Sequence, residues 1–177
     1  MMPLSFIKKL QIFFTVCGLF VAQANGLQAQ TKTFAPPTGD VILTISGKIT
    51  ATNVGDTAQF DREMLDAMDR VSFKTATPWY DDVMTFEGVP IKTVMDFVGA
   101  KGKALRVVAL NDYVSEVPMQ DVETTGVIFA SAINGKPIGI RERGPIFIVY
   151  PYDSDIALQS QTYYGRSAWQ VAHVIVE

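Results

Sequence analysis

The chain has 177 residues, a formal charge of −3, one cysteine and one histidine. At this length one domain is the natural expectation, and an acidic balance without a basic run argues against nucleic acid as a partner. A single Cys17 and a single His173 cannot assemble a transition-metal site built on several sulfur or imidazole ligands.

The N-terminal stretch reads as a secretory signal. Lys8 and Lys9 precede an apolar run from Leu10 to Ala22, and Ala22-Gln23-Ala24 places small residues where a signal peptidase reads. Residues 1–24 are therefore expected to be removed, with the protein exported to the periplasm. The run is short for a bilayer span, which wants about 20 apolar residues. Phe14-Thr15-Val16 lacks the small residue expected ahead of a lipidated Cys17. Cleavage removes Cys17 with Lys8 and Lys9, so the formal charge moves from −3 to −5 and no thiol remains.

Residues 25–39 are polar, contain Pro36-Pro37, and read as a flexible arm leading into a domain over residues 40–177. Residues 41–49 alternate as a half-buried strand should. Residues 59–68 carry Phe60, Met64, Leu65 and Met68 at helical spacing. Residues 71–77 have strand period and end at Pro78, and residues 84–89 form a second short strand. Residues 91–98 place Ile91, Val94, Met95 and Val98 on one helical face, closed by Gly99. Strands are then expected over residues 105–110 and 113–117. Two more flank the tight-turn pair Asn134-Gly135. Residues 146–150 read as a central strand buried on both faces, and residues 170–176 as the last strand. The expected fold class is α+β, dominated by mixed or antiparallel sheet, with about eight to ten strands and two or three short helices.

Three blocks at strand ends are candidates for chemistry. Asn111, Asp112 and Tyr113 follow an apolar strand; they fit a turn, and equally a carboxylate projected into a pocket. Tyr150, Tyr152, Asp153 and Asp155 follow the second apolar strand and would suit either a ligand rim or a solvated loop. Arg166, Ser167 and Trp169 precede the last strand. Here Arg166 fits a structural ion pair as well as a ligand contact, and Trp169 fits the core. Trp79 adds one more aromatic at a strand end. Together the blocks suit a flat, nitrogen-rich heterocycle. Aromatic faces stack on its rings, and a carboxylate accepts two parallel N–H bonds from an amino-pyrimidine edge. A Ser-His-Asp triad would have to use His173, which lies inside the terminal strand, and no nucleophile-elbow or phosphate-loop motif is present.

The segments Thr85-Phe86-Glu87-Gly88-Val89-Pro90, Ala109-Leu110-Asn111-Asp112-Tyr113, Gly144-Pro145-Ile146-Phe147-Ile148-Val149-Tyr150-Pro151 and Arg166-Ser167-Ala168-Trp169-Gln170 carry a resemblance. With them the chain resembles the molybdopterin-binding domain of the sulfite-oxidase type, in its small periplasmic form. The resemblance implies a barrel-like mixed-sheet core with a pterin pocket. Catalytic members hold molybdenum through a cysteine, which the mature chain lacks. The chain is therefore similar to thiol-free periplasmic proteins that bind a reduced pterin. Such proteins report it to the periplasmic part of a membrane receptor of diguanylate cyclase or phosphodiesterase type, controlling cyclic-di-GMP. That resemblance implies no catalytic residue, no metal and no covalent cofactor. The alternatives are a molybdopterin-dependent oxidoreductase or its subunit, and a ligand-free interaction module.

Overall fold

The structure is a computed structural model that describes residues 32–177. The expected signal, its cut after Ala24 and the first part of the arm lie outside the described residues.

The described part of the arm is tied to the domain. Strand β1 (Lys32–Thr33) pairs in parallel with β3 (Ala51–Thr52). Phe34 stacks on Phe60 at 5.6 Å and meets Phe97 edge-on at 5.0 Å. The Thr38 and Gly39 amides donate to Asp61 Oδ2, both at 2.9 Å. Buried aromatic area and paired amides override the flexibility that the Pro36-Pro37 composition predicts.

Strand β2 (Leu43–Gly47) buries Leu43 and Ile45 and leaves Thr44 and Ser46 half-buried, so its alternation follows the pleat. It pairs with β4 (Ala58–Phe60), and here the structure departs from the expected helix over residues 59–68. Phe60 belongs to a strand, and α1 (Arg62–Asp66) begins only after Asp61, whose Oδ1 accepts from the Met64 amide at 2.9 Å. That cap fixes the helix start.

Strands β5 (Val71–Thr77) and β6 (Tyr80–Pro90) form a hairpin around Pro78-Trp79. Gly88 lets the strand that follows in the sheet approach: a Cβ there would lie 2.0 Å from the Phe129 carbonyl oxygen. Helix α2 (Ile91–Val98) buries Ile91, Val94, Met95 and Val98, the four residues its period selects. Gly99 ends it at φ 62°, a left-handed C-cap. Strands β7 (Ala104–Ala109) and β8 (Val114–Pro118) follow, then α3 (Met119–Thr124). Strands β9 (Ile128–Ile133) and β10 (Lys136–Pro137) flank Asn134 and Gly135, both at positive φ as the turn requires. Strand β11 (Phe147–Val149) is wholly buried, as its apolar run predicts, but it pairs with one strand only and is not the central strand expected. Helix α4 (Gln161–Arg166) and β12 (Val171–Val176) complete the described chain.

The order β4-β2-β12-β7-β8 makes one five-stranded sheet, with β12 parallel to β2 and antiparallel to β7. The order β10-β9-β6-β5, with β11 also on β9, makes a second. Both are open, so the barrel-like expectation is corrected: β4 and β8 edge the first, and β5, β10 and β11 each pair with a single strand in the second. Four helices among the described residues exceed the two or three expected. The sheets share one apolar core, in which Leu43, Ile45 and Val174 of the first meet the same cluster as Phe86, Phe129 and Phe147 of the second. The segment before β12 stitches them, since Ile148 donates to the Ala168 carbonyl and Leu110 to that of Gln170, each at 2.9 Å.

Candidate functional site

A cleft of about 380 Å³ opens where three connections converge: the β5–β6 turn, the β7–β8 turn, and α4 with its exit. Its walls are Pro78, Trp79, Tyr113, Tyr164 and Trp169, with Asn111, Gln161, Gly165 and Ser167 supplying polar groups. No charged side chain lines it among the described residues.

Trp79 projects from a two-residue turn that the preceding proline pre-sets. Its indole sits among Phe147 at 5.2 Å, Tyr164 and Trp169 at 6.0 Å each, and Tyr152 at 6.3 Å, all at steep edge-to-face angles. Trp169 bridges to Phe147 through its backbone, keeps 37 % of its surface exposed and lines the cleft. In the β7–β8 turn, Asn111 Oδ1 accepts from the Tyr113 amide at 3.2 Å. The Tyr113 hydroxyl donates to the Gly165 carbonyl at 3.1 Å and ties that turn to α4.

Beneath the cleft lies a buried polar layer. The Ser167 hydroxyl donates to the Tyr163 carbonyl at 2.8 Å and is also hydrogen-bonded to the Tyr152 hydroxyl. The Tyr150 hydroxyl donates to Asp121 Oδ2 at 2.9 Å, and Arg166 donates to the same oxygen at 2.8 Å. The Arg166 guanidinium lies 5.3 Å from the Tyr163 ring centre. Burial, reinforced by the Asp121 carboxylate, pushes the Tyr150 phenol well above its usual range. Burial does the same to Tyr152, against a smaller opposing effect of the Ser167 bond. Both phenols therefore stay neutral donors.

Of the residues singled out in the sequence, the structure brings Trp79, Asn111, Tyr113, Ser167 and Trp169 to this cleft. The others lie elsewhere. Asp112 occupies the left-handed position of its turn at φ 62°, exposed and outside the lining. Asp153 accepts from the Ala76 amide at 2.8 Å and staples its loop to β5. Asp155 caps a short 3-10 turn by accepting from the Ala157 amide at 2.9 Å. Tyr150 and Tyr152 are fully buried below the cleft, and Arg166 forms the structural ion pair with Asp121. Gln161 and Asp121 escaped the sequence reading. Neither belongs to a patterned segment, and only the fold brings Asp121 to Arg166.

A neutral aromatic slot with amide donors and acceptors offers stacking faces and hydrogen bonds of the kind a flat, uncharged ring can use. Among the described residues no histidine or carboxylate lines the cleft beside Ser167, and His173 lines a different groove of about 670 Å³ with Leu110 and Ile140. Among the described residues, the lining of the cleft offers a molybdenum-bearing cofactor neither a thiolate nor a cation. The chain's one cysteine, Cys17, lies outside the described residues, and no cation lines the cleft to hold a phosphate. No family model matches the chain, and no curated protein matches it.

Proposed function

We propose that the protein is a non-catalytic periplasmic binding protein for a reduced pterin, and that it reports the ligand to a membrane receptor controlling cyclic-di-GMP. The observation that carries the binding reading is the uncharged aromatic cleft, whose volume and lining match a bicyclic heterocycle without phosphate. The ring stacks on Trp169. Asn111 and Gln161 take the amino-pyrimidine edge, because Asp112, Asp153 and Asp155 line no part of the cleft. A primary amide pairs with such an edge as donor and acceptor at once. The resemblance to thiol-free pterin-binding proteins supports the export and signalling parts of the reading.

The test is calorimetric titration with dihydro- and tetrahydropterins. Saturable one-to-one binding is expected. Trp169→Ala should weaken it by the worth of one stacked ring, about 1–3 kcal/mol or roughly 5- to 150-fold. Absence of heat across the pterin series, with the protein folded, rejects the reading.

A further inference from the structure

A second pocket, of about 360 Å³, meets the cleft region where Arg143 lies over the Trp169 ring, and unlike the cleft it is charged. It is lined by Lys136, Arg141 and Arg143 with one carboxylate, Glu142, and by Tyr80. Three cations against one anion is an unexpected local balance on a chain of net charge −3. The ion pairs among the described residues involve Arg70, Lys92 and Arg166; none includes Lys136, Arg141 or Arg143. The Tyr80 hydroxyl is buried and has no hydrogen-bond partner. A buried donor without an acceptor is costly, and native structures rarely leave one idle.

The loop holding these groups is locked in a strained form. Arg143 has φ 78° and Gln170 φ 54°, both left-handed and neither glycine. The two are clamped to each other, since the Gln170 amide donates to the Arg143 carbonyl at 3.0 Å. The Gln170 side chain also donates to the Ile140 carbonyl at 2.8 Å. Strain of this kind persists where the surroundings over-determine it, and it clusters at ligand clamps. The outcome is an Arg143 guanidinium held 4.8 Å from the Tyr80 ring centre and 5.8 Å from that of Trp169, with no carboxylate bound to it. A stacked guanidinium still presents its edge donors to an anion.

We propose that this pocket binds a small oxyanion, phosphate or a phosphate monoester. Arg141, Arg143 and Lys136 supply charge, and the unpartnered Tyr80 hydroxyl at the pocket wall becomes a neutral donor once the bound anion draws it in. Glu142 opposes the charge and limits the affinity. The proposal does not rest on pterin binding, although Arg143 lies over the same Trp169 that lines the cleft.

Calorimetric titration of the purified protein at low ionic strength, with inorganic phosphate in one arm and phenyl phosphate in the other, tests it. Saturable one-to-one binding is expected, and the tighter arm identifies free phosphate or the monoester as the source. Arg141→Gln should weaken binding about tenfold, the effect of a lost charge-assisted bond. Tyr80→Phe should weaken it less, while keeping the ring under Arg143. Glu142→Gln should tighten it. No saturable binding in either arm, or binding unmoved by all three substitutions, overturns the proposal.

Discussion

Asp121→Ala removes the acceptor that two buried donors share. Asp121 is 7 % exposed, and its Oδ2 receives the Tyr150 hydroxyl at 2.9 Å and Arg166 at 2.8 Å. The variant leaves a fully buried phenol without an acceptor, a loss of about 1.5–3 kcal/mol for a bond to a charged group. It also leaves Arg166 without its counter-ion. Breaking a buried pair on one side costs about 3–5 kcal/mol, but the Arg166 side chain is 26 % exposed and regains water. The two effects overlap in one oxygen, so about 3 kcal/mol in all is expected, or roughly 6–12 °C in Tm for a domain of this size. Urea unfolding at pH 7 measures it. Replacing all three groups by apolar ones, as Tyr150→Phe with Asp121→Leu and Arg166→Met, should recover most of the loss, since no buried polar group is then stranded. A cost below about 1 kcal/mol for Asp121→Ala, or a triple variant as unstable as the single one, would refute the reasoning. Because Arg166 anchors the end of α4, the same variant should also weaken pterin binding, although Asp121 lines no part of the cleft.

Asp112→Ala should leave pterin affinity within about twofold, whereas Gln161→Ala should lower it about tenfold, the worth of one good hydrogen bond to the ring edge; calorimetry separates the two. Stability should fall above about pH 10. Burial holds Tyr150 and Tyr152 neutral in the folded chain, while the unfolded chain releases their protons near the ordinary phenol value. The expected slope is about 1.4 kcal/mol per pH unit for each tyrosine, read from urea midpoints before and after Tyr150→Phe. At the acid end, backbone amides of Gly39, Met64 and Thr38 hold Asp61 below its usual value of 3.8. Its contribution is present at neutral pH and is lost as pH falls through that lowered value. Asp61→Asn should therefore flatten the acid limb of a stability-versus-pH curve. Gly99→Ala should destabilise through two effects, a left-handed φ and a Cβ placed 2.0 Å from Thr50 Oγ1, and thermal unfolding reads the loss.

Helix α2 was fully legible because four apolar residues at helical spacing and a closing glycine all point one way. Strand β2 was legible from its alternation, and β7 from its apolar, β-branched run. Residues 59–68 were not, since Phe60, Met64 and Leu65 satisfy a helical period over too short a stretch to exclude a strand, a cap and a single helical turn in succession. Helices α3 and α4 have six residues each, less than two turns, and are held by distant partners such as the Arg166–Asp121 pair and the Tyr113–Gly165 bond. No local pattern encodes those contacts. The aromatic half of the cleft was visible as strand-end Trp79, Tyr113 and Trp169. The carboxylates lie outside this cleft, since Asp serves turns and caps as readily as ligands: Asp112 holds a left-handed turn position, and Asp153 and Asp155 bond to backbone amides. The pocket of Tyr80 and Arg143 could not be read from sequence, because its strain and its unpartnered hydroxyl exist only in the folded chain.

The central claim is where a pterin ring sits. A crystal structure of the protein saturated with a reduced pterin should show the bicycle between Trp169 and Tyr113, with its amino edge on Asn111 and Gln161. A ring lodged instead in the groove of Leu110, Ile140 and His173, or an empty cleft at saturating ligand, would contradict the account.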